Sequence, residues 1–528
     1  MSATYRRPLA SLLSTLLFAF ALGIGLRARA QEEDELTPGV AAYNAGKYEQ
    51  AAVAFYKIAE NGNDALNRQK AEYYLAETFL KMDLYQPAFE YYGLIVRQGA
   101  RHRYYFKAVE GLVKVDEAVG DETVIPSVLN RAYGADFEKL PDDVLNKVNY
   151  LVGTLSYRAN KVDEAQEFLS SVPPKSSYYA RARYLYGITI TVKRPQDAIK
   201  IFKEIMALPR TSGQFDLDNV QQLTRLALAR TYYGLGQAAP DPLAMYAESV
   251  KWYDAVPRFS EYWDQALFEN GWALFQDLQP GRALGSLEAL HAPQFEGAFS
   301  PESWILKGTI YFYSCLYPET KGAIAGFRRI YLPMDDKIKA ALTGDHDFEF
   351  YAGLVATPTG ELPLAVVNYL SGNKRVEGFR NYLVQLQKEK TKLATYTLWK
   401  DNGLANELAQ FIDTQSQTLL KLTGKFVQGR LKNASAVIEN FDSQAEIILF
   451  ETLKAEKELI EKNVDVQARL QEQKLYRPVV PGPAWDYWHF EGEFWIDEIG
   501  YYQYTLKNAC ALRQGQDSTP AQRESPSE

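Results

Sequence analysis

The sequence predicts an all-α chain made of repeated helix pairs, and three observations carry that prediction. A motif of small, aromatic and aliphatic residues at helical offsets returns along the first three hundred residues. A later stretch of about a hundred residues consists mostly of helix formers. Apolar residues make up 47% and charged residues 23% of a 528-residue chain, which is globular composition and too long for one compact core.

The returning motif places an aromatic or Leu four residues after a small residue, and an aliphatic residue three further on. It reads Ala51-Phe55-Ile58, Ala88-Tyr92-Ile95, Ala165-Leu169-Val172, Ala198-Phe202-Ile205, Ser249-Tyr253-Val256, Ala283-Leu287-Leu290 and Ala323-Phe327-Ile330. Offsets of four and three put all three residues on one helical face. The small residues are 37, 77, 33, 51, 34 and 40 apart, a period in the mid-thirties with a degenerate repeat inside the longest gap and an insertion in the gap of 51. Pro173, Pro209, Pro257 and Pro333 are expected to stop their helices. A partner helix precedes each motif with its own small residue, as in Ala76/Phe79, Gly153/Tyr157, Gly187/Ile190, Ala229/Tyr232, Gly271/Leu274 and Gly308/Tyr311.

Gly46-Lys47-Tyr48-Glu49-Gln50-Ala51-Ala52, and Leu75-Ala76 through Asp83-Leu84-Tyr85-Gln86-Pro87-Ala88, resemble the turn and second helix of the tetratricopeptide repeat (TPR) family. The resemblance covers about residues 38–333 and departs from the pattern at 106–129, 206–220 and 238–242. It implies a TPR-like right-handed α-solenoid, in which neighbouring pairs bury faces that one pair cannot bury alone, with a concave groove that holds other proteins. It also implies that the groove stripe lies on the first helices. In the early repeats this gives Tyr73, Glu77 and Leu80, then Tyr150, Thr154 and Tyr157, then Tyr184, Ile188 and Thr191. Leu226, Arg230 and Tyr233 follow, then Phe268, Trp272 and Phe275, then Ile305, Thr309 and Phe312. Rings on this stripe either pack between repeats or form a recognition surface, for which Tyr and Trp suit by area and polar tip. Arg158, Arg181 and Arg230 add cations for acidic partners.

Residues 1–30 read as an export leader. Arg6 and Arg7 precede an apolar run from Leu9 to Leu26 that ends in Ala28-Arg29-Ala30, placing cleavage before Gln31. A membrane anchor is the competing reading, and Ser11, Ser14, Thr15, Gly23 and Gly25 interrupt the run against it. No Cys near the junction offers a site for a lipid, and no later segment is apolar for long enough to span a bilayer. The leader holds four Arg and no acid, so its loss takes the net charge from −8 to −12. That balance offers no global grip on nucleic acid or anionic lipid. Cys315 and Cys510, the two cysteines, permit one disulfide in an oxidising compartment or stay unpaired.

The repeats are expected to fill 31–333, followed by an irregular helical connector over 334–373 that is broken by Gly344, Pro358, Gly360 and Pro363. Residues 374–475 read as long antiparallel helices, a bundle or coiled-coil-like region in which Gly403, Gly424 and Gly429 argue against an uninterrupted heptad. They fold on their own chain or zip a dimer. The segment 476–510 opens with a proline-stiffened linker and carries Trp485, Trp488 and Trp495 in a small aromatic-rich hairpin, which caps the fold or docks on another protein. Residues 511–528 are polar and expected to be disordered.

Motifs that carry chemistry are scarce. The chain has no Cys-x-x-Cys, His-Glu-x-x-His, Walker loop or Gly-x-Ser-x-Gly. Ser371-Gly372-Asn373-Lys374 echoes Ser-x-x-Lys without its companion motifs, and Glu302-Ser303 echoes a murein-cleaving Glu without a lysozyme-like domain around it. Asp345-His346-Asp347 and His489, Glu491, Glu493 are weak metal candidates in a chain with 4 His. No enzyme activity, cofactor or metal is therefore expected. The reading is an exported bacterial envelope TPR protein, a periplasmic scaffold for envelope proteins or peptide segments, with no nucleic acid and no membrane insertion after cleavage. Its layout loosely resembles TPR components of the gliding-motility envelope machinery. The alternative is a peptidoglycan or carbohydrate binder that uses the aromatic groove or the Trp module.

Overall fold

A computed structural model describes residues 35–121, 123–356, 360–461, 494–504, 506 and 509–510. The protein is all-α, with no strand among the described residues. It divides into two compact units, each assembled from two separate pieces of chain. One takes the described residues up to Ser171 together with Gly378–Leu420; the other takes Val172–Glu377 and the described residues from Lys421 onward.

The first unit begins with α1 (35–44), α2 (Tyr48–Asn61), α3 (Ala65–Lys81), α4 (Tyr85–Gln98) and α5 (Tyr105–Val119). It continues with α6 (Val124–Ala132), α7 (Asp142–Arg158) and α8 (Val162–Ser170). Consecutive helices pack on one another from α2 to α5, as do α7 and α8. Close approach explains the small residues. Ala51, Ala76 and Ala88 are fully buried, and a side chain at Gly153 would collide with Leu169.

Its second piece comprises α19 (Lys374–Leu393) from residue 378 onward and the start of α20 (Leu404–Glu461), and it lies on α2 and α4. Trp399 is fully buried, donates its indole N–H to the Glu49 carbonyl at 3.0 Å and meets Phe79 edge-on. Glu407 accepts from the hydroxyls of Tyr56 (2.7 Å) and Tyr91 (2.9 Å).

The second unit holds α9 (Tyr179–Ile190), α10 (Pro195–Met206), α11 (Leu217–Ala238), α12 (Leu243–Asp254), α13 (Trp263–Gln276) and α14 (Pro280–Leu290). After them come α15 (Pro301–Tyr313), α16 (Tyr317–Leu342), α17 (Phe348–Ala356) and α18 (Leu364–Ser371), and then α20 from residue 421. The helices pair in sequence as α9/α10, α11/α12, α13/α14 and α15/α16.

Across the two units one turn recurs between paired helices. A residue in the left-handed region, Gly46, Asp83, Asn160, Leu278 or Cys315, stands two positions before the next helix. The N–H of the residue after it reaches back five positions: Lys47 to Ala42, Leu84 to Phe79, Lys161 to Ser156, Gln279 to Leu274 and Leu316 to Tyr311. That 6→1 bond satisfies a carbonyl left over at the helix end. Gly, Asp and Asn adopt this conformation readily, whereas Leu278 and Cys315 adopt it at a steric cost.

Two expectations need correction. Pro333 does not stop its helix; α16 runs through it for 26 residues. The turn after the proline is held by α20, where Asp335 accepts from the Ser435 hydroxyl (2.5 Å), Lys339 pairs with Glu439 (2.6 Å) and Ile338 is fully buried, which offsets the one lost backbone bond. Gly424 and Gly429 lie inside α20, which continues for 58 residues. Finally, the described part of the expected hairpin, 494–504, forms no strand.

Its backbone is satisfied elsewhere. The Arg258 guanidinium donates to the carbonyls of Ile496, Asp497 and Ile499, and Tyr504 N–H donates to the Gly281 carbonyl at 3.1 Å. Ile499 is fully buried against Trp263, Leu267 and Leu290. Ala509 N–H bonds the Ser314 carbonyl, and Cys510 is joined to Cys315 by a disulfide with Cα atoms 5.2 Å apart. The segment is thus a strap along α14 and the end of α15. It crosses α14 at Gly281 and Gly285, where a methyl group would overlap the carbonyl oxygens of Tyr504 and Tyr502. Trp485 and Trp488 lie outside the described residues, and Trp495 is exposed.

Candidate functional site

An open concavity lies in the second unit, on the first helices of three successive pairs. From α11 come Arg230, Tyr233 and Gln237, and from α13 come Glu269, Trp272 and Gln276. Each trio has offsets of three and seven, so each projects from a single helical face. Glu302 from the first turn of α15 and Tyr253 from α12 complete a groove of about 480 Å³.

Its charges are mostly internal. Arg230 grips Glu269 through two parallel bonds, Nε and Nη2 each 2.7 Å from a carboxylate oxygen. Tyr253 donates its hydroxyl to the same carboxylate at 2.9 Å. Although burial acts to lower it, the Arg230 pKa is raised by these Glu269 contacts. Trp272 donates its indole N–H to Glu302 Oε1 at 3.0 Å. Burial pushes the Glu302 carboxyl above its usual range; the Trp272 bond opposes that shift and the Glu269 charge adds to it. Burial, chiefly, also raises the Tyr233 hydroxyl.

Of the residues that sequence reasoning placed on the groove, the structure brings together Arg230, Tyr233 and Trp272. Phe275 lies beside Trp272, ring centroids 6.4 Å apart, and Phe268 packs into the apolar cluster around Leu267 and Trp263. Leu226 and Ile305, placed on the same stripe, are core residues at 1% and 3% exposure, because each helix turns that position toward its partner. Tyr184 packs on Phe202, while Arg181 pairs with Asp216 at 2.6 Å and covers the Phe215 ring. In the first unit, Tyr73 stacks flat on Tyr104 (4.7 Å), Tyr150 lies under the Lys147 ammonium, and Tyr157 and Arg158 are half-buried on α7.

Sequence reasoning missed Gln237, one turn beyond Tyr233, and Glu269 and Gln276, each one residue past the stripe positions Phe268 and Phe275, and it treated Glu302 only as an echo of a hydrolase. The signal was available in the shared three-and-seven spacing of α11 and α13. The weak motifs resolve into structural roles. His346 stacks on Phe350, Asp347 accepts the Phe350 N–H, and Lys374 pairs with Glu261. Residues His489, Glu491 and Glu493 lie outside the described residues.

Among the described residues no group of three or more His, Cys, Asp and Glu is placed to hold a metal ion. No helix among them is long and apolar enough to cross a membrane. No protein-family model matches the chain, and no curated protein matches it.

Proposed function

We propose that this chain is an exported, non-enzymatic scaffold of the bacterial envelope, with a TPR-like solenoid that grips a protein partner or peptide segment through the groove on α11, α13 and α15. The observation that carries the reading is the convergence of Tyr233, Trp272, Arg230 and Glu302 from three successive first helices on one open concavity. Large rigid rings with polar rims are the composition of recognition surfaces. The recurring turn and the buried small residues at helix contacts support the repeat reading. The leader-like residues 1–30 and the Cys315–Cys510 bridge support export to an oxidising compartment. Service in an envelope-spanning motility or secretion assembly is the corresponding process.

The test is a comparison of co-purified envelope proteins captured with wild-type chain and with Tyr233→Ala/Trp272→Ala. A partner recovered by the wild type and lost with the double variant, at unchanged melting temperature, supports the reading. Equal recovery with both sinks it, and so does a binding preference for purified sacculi over any protein.

A further inference from the structure

We infer that this groove selects a basic side chain, lysine or arginine, within a peptide segment, and seats it between Tyr233 and Trp272 with its charge on Glu302. The inference rests on the groove being a protein-binding surface.

The argument is a charge balance. Three charged groups line the groove: Arg230, Glu269 and Glu302. Glu269 takes two bonds from the Arg230 fork and a third from Tyr253, so that pair adds no net charge and Arg230 already holds its own counter-ion. Glu302 is different. One of its oxygens accepts the Trp272 indole, and neither oxygen has a cationic partner among the described residues. The remaining lining is neutral, made of phenols and the amides of Gln237 and Gln276. One half-buried carboxylate is therefore left uncompensated.

Each class of occupant meets that carboxylate differently. An acidic segment would face repulsion from Glu302. A neutral sugar would desolvate the carboxylate further without supplying a counter-charge. A basic side chain supplies the charge, its aliphatic stem covers the rings, and its cationic head is attracted by the faces of Tyr233 and Trp272. Burial is the chief cause of the upward shift of the Glu302 carboxyl, with the Glu269 charge adding to it, and a bound cation would oppose both.

Short synthetic peptides in which one central position is varied through all side chains, titrated onto the full chain at low and high salt, test the inference. Central Lys or Arg is expected to bind best and to weaken as salt rises. Glu302→Gln keeps an acceptor for the Trp272 N–H; it is expected to lower the affinity for basic peptides about tenfold, flatten the salt dependence and leave the melting temperature unchanged. A preference for acidic or apolar centres overturns the inference, as does a basic preference that survives Glu302→Gln. Peptides that lose binding in Trp272→Ala yet show no basic preference leave the groove reading standing and remove the inference alone. If no peptide depends on Trp272, both fall; muropeptide binding that is lost in Trp272→Ala assigns the groove to sugars and also overturns both.

Discussion

Glu389 accepts the backbone N–H of Gln86 at 3.0 Å, across 303 residues of chain. The carboxylate is 1% exposed, and burial, only partly countered by that bond and by Gln385, pushes its pKa from the usual 4.5 up to about 7. Tyr382 closes the same pocket by donating its hydroxyl to Gln86 Oε1 at 2.6 Å. Asp116, buried beside Lys147, is also raised to about 7, chiefly by burial.

The first prediction is a stability profile for the first unit that falls with rising pH. An acid with a raised native pKa binds more protons folded than unfolded between about 4.5 and 7, so stability is full below that window, declines across it and is level above it. The slope is at most about 1.4 kcal/mol per pH unit for each group. Glu389→Gln should remove its share of the slope and raise the melting temperature at pH 8. A variant whose profile parallels that of the wild type would show that Glu389 stays ionised in its pocket.

A second prediction concerns the strap. The bridge spans 195 residues, so reduction or Cys315→Ser should cost on the order of 2–4 kcal/mol through the unfolded ensemble. Ile499→Ala should cost a further ~2–4 kcal/mol by emptying its site against Trp263 and Leu267. Thermal melts with a hydrophobic dye read both, and early proteolysis within 494–510 identifies the segment that lifts first. Unchanged melts would show that the strap contributes nothing to the second unit.

Gly424 sets two effects in opposition. Helix propensity alone predicts that Gly424→Ala in the middle of α20 would gain roughly 1 kcal/mol. Against that, the added methyl would overlap the backbone carbonyl of Phe348, which cannot rotate away as a side chain would. We expect the overlap to dominate, with a net loss of about 1–3 kcal/mol in chemical denaturation. A gain would mean that α17 shifts freely.

Paired substitution of Tyr184 and Trp272 by Ala separates recognition from packing. Both are only partly buried, so binding should weaken by at least about tenfold while most of the melting temperature is retained. A large stability loss at unchanged affinity would show that the rings serve their own neighbours, as Tyr184 already does against Phe202.

The all-α class and the helix pairs were legible because 3.6-residue periodicity survives in residues such as Ala51, Phe55 and Ile58, all of which are buried. What escaped sequence reasoning depends on contacts far apart in the chain. Pro333 looks like a stop until Ser435 and Glu439 are known to hold the turn beyond it. Alternation over Trp488, Phe490, Gly492 and Phe494, and again over Tyr502, Tyr504 and Leu506, looks like a hairpin, yet the described part of the segment bonds its backbone to Arg258 and Gly281. Gly281 and Gly285 carried a readable sign of that contact, a pair of small residues four apart on one face of α14. In the groove, the rings were anticipated from the TPR resemblance, whereas Glu269 and Glu302 take their meaning from Arg230 and Trp272 on other helices.

The discontinuity of the first unit bears on the order in which the chain can mature. Trp399, Glu389 and Glu407 complete the faces of α2 and α4, yet they are synthesised only after the whole of 172–377. Until then Phe79, Tyr91 and the Gln86 amide lack the partners that bury them, so the N-terminal helices emerge as an incomplete half. Joining the halves closes a loop of several repeats, a contact of high sequence separation of the kind that slows folding. Under the proposed export, that delay would suit threading through a translocation channel, since the first-made segment is not completed before the later one arrives.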